Sequence, residues 1–329
     1  MREPPSIVEY EITTACNSRC IHCYCSAGEK HPNELSLDEI KDLILQVKET
    51  KVWALDIVGG EPLIHPRIID VLAFAREVGQ RVMINTNGSL ATEEMVKKMK
   101  EANPDVLVGV SLDGPDPETN DFIRGKGSFE RAISGMKNFI REGFKVTILN
   151  VINAVNWRKF EDLVKLSLSL NASSVYVDRF VPVGRGKLNA HILDMSDDEW
   201  VEAIGYVRNI VEKYSNRIVF YVEDSIDGEP CSAGITHASI LVDGTVVPCG
   251  HFRYERRFYM GNIREKSFKE IWESLEPRKF FPVPEECKGC PFYGAEDCEG
   301  GCKAISYFRY GGTDKADKII CRLRRGNRG

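Results

Sequence analysis

Three cysteines near the amino terminus, Cys16, Cys20 and Cys23, follow the spacing C-x3-C-x2-C. Thiolates this close on a short loop do not readily pair with one another as disulfides. They can instead converge on one metal centre, and soft sulfur donors select zinc, copper or iron–sulfur clusters. Three ligands in place of four leave one metal position open, which suits chemistry better than a purely structural site. Taken alone, the triplet also fits a structural zinc knuckle. The chain has 11 cysteines. Cys25 follows the triplet at once, and no other occurs until Cys231, after which come Cys249, Cys287, Cys290, Cys298, Cys302 and Cys321.

The elements that must position these residues belong to a chain of 329 residues, 43% hydrophobic and 28% charged, long enough for a substantial core. Its net charge of −5 argues against a general nucleic-acid binder. The basic run Arg322, Arg324, Arg325 and Arg328 reads as a solvated chain end. No apolar run is long enough to span a membrane, and Met1-Arg2-Glu3-Pro4-Pro5 has no apolar signal core behind it. A cytoplasmic location is expected, where cysteines are metal ligands or catalytic groups more often than disulfides.

Residues 6–13 alternate as a strand that runs straight into the cysteine loop. Ser36-Leu37-Asp38-Glu39 reads as a capping box opening a helix. From there strands and helices alternate, with six near-continuous apolar strands ending at residues 13, 58, 86, 112, 152 and 180. Such strands are buried on both faces, as in a parallel sheet or barrel. The pattern predicts an α/β fold, a partial (β/α)6 TIM-type barrel, because a seventh or eighth unit is not evident. Parallel α/β folds place their sites at the carboxyl ends of the strands. There lie the cysteine loop, Gly59-Gly60-Glu61-Pro62, Thr86-Asn87-Gly88 and Ser111-Leu112-Asp113-Gly114. Each of the last three is also ordinary turn chemistry when read alone. A strand near 217–222 follows, then a hairpin turning at Asp243-Gly244 and a short helix over 265–275. Beyond it the chain is Gly-, Pro- and Cys-rich with little periodicity, and needs staples such as metal clusters. The boundary falls near 215–230, giving a barrel over 1–225 and a cysteine-rich domain over 226–329.

These residues resemble the radical S-adenosylmethionine (radical SAM) enzymes, through Cys16-x3-Cys20-x2-Cys23 and Gly59-Gly60-Glu61-Pro62. The tail resembles the SPASM extension, which carries auxiliary clusters. Cys231, Gly244 and Cys249 give C-x12-G-x4-C, and Cys287, Cys290, Cys298 and Cys302 give C-x2-C-x7-C-x3-C, with Cys321 last. The seven-residue gap is two longer than the family pattern and reads as a loop insertion. The resemblance implies three [4Fe–4S] clusters and SAM. Cys16, Cys20 and Cys23 would hold the cluster that cleaves SAM to methionine and a 5′-deoxyadenosyl radical. Cys231, Cys249 and Cys302 would hold one auxiliary cluster, with His237 a candidate fourth ligand. Cys287, Cys290, Cys298 and Cys321 would hold the other. Tyr24, Gly59, Gly60, Glu61, Asn87, Ser111 and Arg124 match SAM-contact positions; Asn150, Phe180 and Val181 are adenosine-pocket candidates or core. An electron donor such as ferredoxin or flavodoxin is implied as a partner.

Relatives that oxidise a sulfatase peptide carry Asp directly after the second auxiliary cysteine, whereas here Gly250-His251 follow Cys249. The expected substrate is a peptide or protein side chain. The alternatives are a decarboxylase or side-chain remodeller of a tetrapyrrole or other small acidic metabolite, which Arg185 could meet, and a non-catalytic metal-stabilised binding protein.

Overall fold

The computed structural model describes residues 2–294 and 298–326. Six parallel strands form the barrel: β1 (Ile7–Glu11), β2 (Ala54–Val58), β3 (Val82–Thr86), β4 (Leu107–Ser111), β5 (Val146–Ile152) and β6 (Ser174–Arg179). Each pairs with the next in sequence order. The sheet extends beyond the six expected strands at both edges. β7 (Val219–Val222) pairs in parallel with β6. β8 (His237–Ile240) pairs in parallel with β1 and carries β9 (Thr245–Val247) and β10 (Gly261–Asn262) beyond it. The order is β10-β9-β8-β1-β2-β3-β4-β5-β6-β7. A division at residue 226 therefore separates elements that share one sheet.

Alternation along β1 sets the two faces. Val8 and Tyr10 are fully buried against the helical layer, while Glu9 and Glu11 point into the barrel. Ser36 and Glu39 make the expected reciprocal capping box on the helix Leu37–Glu49. The same device opens Asp197–Tyr214 at Ser196 and Phe268–Ser274 at Ser267. The helix Pro117–Arg124 was not expected, although Asp116 caps it and Pro117 occupies its first turn. The tail is also more regular than its composition suggests, with helices Lys303–Tyr310 and Lys318–Gly326.

Two buried ion pairs bind the tail to the barrel. Arg179 of β6 meets Asp317 at 2.5 Å, and Arg253 meets Glu11 of β1 at 2.6 Å. Burying such charges is tolerable only because each has a close partner. No described helix is long and apolar enough to cross a membrane. Of the loop read as an insertion, residues 295–297 lie outside the described residues, as does Arg328 of the basic run.

Candidate active site at the barrel rim

The cysteine loop is held by backbone contacts from several segments of the rim. From β2, Gly60 N–H donates to Thr13 O (2.7 Å) and Glu61 N–H to Ala15 O (2.8 Å). A Cβ on Gly60 would lie 2.2 Å from Ala15 O, and one on Gly59 2.5 Å from Thr13 O. The glycine pair is therefore required for this approach. Behind it, Glu61 is buried and uses both carboxylate oxygens. Thr86 Oγ1 donates to it at 2.6 Å and Asn87 N–H at 2.7 Å, tying the end of β2 to the end of β3. Burial raises the pKa of this carboxyl. Asn87 in turn donates from Nδ2 to Asn17 Oδ1 (2.9 Å), and Asn17 Nδ2 donates to Ser89 Oγ (2.8 Å).

The helix Pro117–Arg124 supplies the next wall. Ile21 N–H donates to Ile123 O at 2.9 Å, and the Cys20 thiol lies 3.9 Å from Arg124 O. Asp113 is fully buried between two partners, with Arg124 Nε at 2.6 Å and His22 Nε2 at 3.2 Å from its Oδ2. The Arg124 contact is an ion pair without hydrogen-bond alignment, while burial pushes His22 down to about 4 and leaves its imidazole neutral beside the carboxylate. Arg124, expected at a SAM carboxylate, is thus already paired. Ser111 stands half-buried at the end of β4.

After β6 the chain turns back over the loop. Gly184 (φ +58°) sits where a Cβ would meet Tyr24 O at 2.3 Å. Arg185 N–H donates to Cys23 O (3.0 Å), its Nε to Cys20 O (3.0 Å) and its Nη1 to Ala27 O (2.8 Å). This corrects the expectation that Arg185 is free to meet an acidic substrate: its guanidinium is a brace for the cysteine loop. No spacing rule could have found it, because the contact spans some 160 residues. Asn150, Phe180 and Val181 are buried in the packed interior.

The residues present suit iron–sulfur clusters. All 11 cysteines are free of disulfides. Burial pushes the Cys20 thiol up to about 11 and raises Cys16, while contact with Cys25 at 3.5 Å lowers Cys23 to about 6. A bound cation would be what keeps the first two ionised. In the tail, Cys231 is lowered by a hydrogen bond from Cys302 and also interacts with Cys249. Cys321 is pushed up to about 12 by burial and by the neighbouring Cys287 and Cys298, and Cys290 acts on Cys287. Gly300 leaves room for the Cys287 sulfur, which a Cβ would approach to 3.1 Å. The seven tail cysteines therefore fall into two spatial groups.

Below the rim the barrel interior is acidic. Glu9, Asp56, Asn85, Tyr176, Asp178 and Glu223 are partly buried side chains on the inner wall. Asn85 Nδ2 donates to both oxygens of Asp56 (3.1 and 2.9 Å), and Tyr176 OH donates to Glu223. Burial, reinforced by Glu9, pushes Asp56 up to about 7, and burial with Asp178 pushes Glu223 up to about 8. Gly109 keeps this wall open, since its Cβ would lie 2.3 Å from Asn85 Oδ1. The Tyr24 ring also turns inward, its hydroxyl donating to Glu9 Oε1 at 3.3 Å. A separate cleft of about 630 Å³ lies in the tail, between Arg257, Ile271, Lys279 and Thr313, away from the cysteine loop.

A parallel barrel with a cysteine loop at its rim and a cysteine-rich tail defines an iron–sulfur enzyme of the SAM-cleaving class. Residues 10–167 match the radical SAM superfamily, and residues 231–291 match SPASM, an iron–sulfur cluster-binding domain. Fe-coproporphyrin III synthase of Methanosarcina barkeri is 32% identical over 83% of this chain and 75% of its own length. Mycofactocin maturase MftC of Mycolicibacterium smegmatis is 29% identical over 93% of this chain and 80% of its own. The fold matches Streptococcus suis SuiB bound to S-adenosylmethionine with a TM-score of 0.81, at 20% identity over 98% of this chain and 78% of that one. The chain belongs to the radical SAM superfamily and carries a SPASM domain. It is an oxidoreductase that uses iron–sulfur clusters and SAM.

When bound, the cluster and SAM supply a one-electron reductive cleavage that yields methionine and the 5′-deoxyadenosyl radical, which abstracts hydrogen from the substrate. The protein's part is positional. Gly59, Gly60, Arg185 and the Pro117–Arg124 helix fix the loop.

Proposed function

We propose that this enzyme modifies a peptide or protein side chain and holds three four-iron clusters. Cys16, Cys20 and Cys23 hold the one that meets SAM. Cys231, Cys249 and Cys302 hold one auxiliary cluster, and Cys287, Cys290, Cys298 and Cys321 the other, in a domain taken as 226–329. SAM lies along the rim made by Gly59, Gly60, Glu61, Asn87, Ser111 and Arg124, with Tyr24 beneath it. An electron donor such as ferredoxin or flavodoxin delivers the electron.

The observation that carries the substrate assignment is the charge of the barrel interior. Its wall presents Glu9, Asp56, Asp178 and Glu223, while Arg253, Arg124 and Arg179 are committed to Glu11, Asp113 and Asp317. Burial already pushes these four carboxyls up to between about 6 and 8, so a polycarboxylate entering here would add negative charge where negative charge is disfavoured, whereas peptide N–H groups and cationic side chains meet acceptors. MftC, a maturase, supports the same reading.

The likeness to Fe-coproporphyrin III synthase favours a second reading, chemistry on a tetrapyrrole or other acidic metabolite. Anaerobic reconstitution is expected to give about twelve irons per chain. Reduction with SAM then releases 5′-deoxyadenosine. Deuterium transfer into 5′-deoxyadenosine from a labelled peptide supports the first reading, and transfer from a labelled porphyrin in its place overturns it. His237, whose Nε2 is 3.2 Å from Ser239 Oγ, remains the candidate fourth ligand of the first auxiliary cluster. An unchanged cluster spectrum in His237→Ala dismisses that role.

A further inference from the structure

Cys249 opens a short 3-10 turn, Gly250–Phe252, that folds His251 back onto it. His251 Nδ1 lies 3.3 Å from Cys249 Sγ. The other side of the imidazole packs on Tyr24, with ring centroids 5.2 Å apart and planes tilted by 49°. Tyr24 is the residue next to Cys23. Gly250 makes this packing feasible, since a Cβ there would stand 3.2 Å from Tyr24 Cε2 and 2.8 Å from Glu9 Oε1. Tyr24 OH donates to Glu9 Oε1, which fixes the ring from below. A chain of contacts therefore runs from Cys23 through the Tyr24 ring and the His251 ring to the Cys249 sulfur. It joins the loop at one end of the barrel sheet to the turn after β9.

We infer that His251 is a positioning residue for the auxiliary cluster that Cys249 helps to hold, donating Nδ1–H to the Cys249 sulfur while Tyr24 fixes its ring against the SAM-cluster loop. The inference rests on the ligand assignment proposed above. A cluster-bound thiolate carries no proton, so in that state the imidazole nitrogen has to be the donor, and Nδ1–H is the tautomer required. A hydrogen bond to a ligating sulfur withdraws charge from it and stabilises the reduced cluster, which raises its reduction potential. The seat of the hydrogen bond is also specific to this chain's Cys249-Gly250-His251 order. A side chain at 250 would crowd the Tyr24 ring and displace the Glu9 carboxylate that holds it.

The test is a redox titration of reconstituted full-length protein followed by electron paramagnetic resonance. His251→Phe keeps a ring against Tyr24 and removes the donor. It is expected to lower the potential of one auxiliary cluster, with the reduced-to-oxidised ratio at fixed potential falling about tenfold, equivalent to about 59 mV for one electron. His251→Gln, which restores an N–H donor, recovers part of that shift. A His251→Phe protein with a full iron complement and unchanged potentials overturns the inference. Where His251→Phe fails to load iron, the wild-type protein labelled with ¹⁵N-histidine decides. An exchangeable proton and a ¹⁵N coupled to the reduced auxiliary cluster support the hydrogen bond, and their absence overturns it. Cys249→Ala separates the two levels: retention of all clusters in that variant removes the ligand assignment itself, whatever His251 does.

Discussion

The cysteine loop and the tail solve the same problem, holding sulfur ligands in place, by different physical means. The loop is fixed by the barrel. Backbone carbonyls of Cys16, Cys20, Cys23 and Ala27 are taken by Arg19 and Arg185, and its ends are clamped by Gly60, Glu61 and Ile123. Its geometry is thus over-determined without metal. In the tail, short helices are separated by turns at Gly289, Gly294, Gly300, Gly301 and Gly311, all with positive φ. Its flanks are anchored to the barrel by the β8–β9 hairpin, by Phe268, Ile271, Trp272 and Ile319 in the barrel core, and by Arg253, Arg264, Arg309 and Asp317 in ion pairs, but the described residues between Cys287 and Cys302 carry no helix or strand. A preformed site binds its cofactor into a waiting shape, whereas a loosely built one gains its shape from the cofactor.

The largest expected effect sharpens this contrast. Cys16→Ala is expected to reduce 5′-deoxyadenosine formation to background while leaving about two thirds of the iron, as three equal clusters require. Loss of all iron would break the independence of the two regions. Iron removal by chelation comes next. It should leave the barrel's helical circular dichroism and protease resistance largely intact while cleavage sites open between Cys287 and Cys302. Equal protection of both regions would show that the tail is as preformed as the loop. Asp317→Ala leaves Arg179 buried without a partner and is expected to cost about 3–5 kcal/mol in denaturant unfolding. Gly60→Ala forces a Cβ against Ala15 O and is expected to cost about 1–3 kcal/mol by overpacking. The smallest effect is that of Arg185→Lys, which keeps charge but loses the fork across Cys20 and Ala27. It should lower the rate of SAM cleavage about tenfold without changing the iron count. A variant that instead loses iron would place Arg185 in cluster retention.

Much of the barrel was legible because local chemistry and global fold agree there. Ser36 and Glu39, Gly79 with φ +70°, and Asp243-Gly244 each do what their types favour. The triplet and Gly59-Gly60 stood out through spacing and through glycine's steric freedom. The helix Pro117–Arg124 was hidden by Asp113-Gly114-Pro115, which reads as turn, although Asp116-Pro117 carried a start signal. β7 escaped as a sheet member because Val219 and Tyr221 are exposed, so it lacks the buried run of its neighbours. Arg185, Asp113 and His251 lay beyond sequence reading for a common reason. Their roles are set by partners distant in the chain or by the direction of a side chain, and neither leaves a periodic trace.

The position of β1 has a consequence for how the protein is made. β1 lies between β2 and β8, with Ile7 paired both to Ala54 and to His237. The first strand obtains one neighbour early but exposes its other edge until residue 240 has been synthesised. At about 5–20 residues per second, that wait is on the order of tens of seconds. An unpaired hydrophobic edge is a pairing hazard during that time. It also flanks the loop that must receive iron. The protein therefore has a natural order of assembly in which the barrel closes on its last partner only as the tail arrives, and nascent chains stalled before β8 are expected to be its most aggregation-prone form.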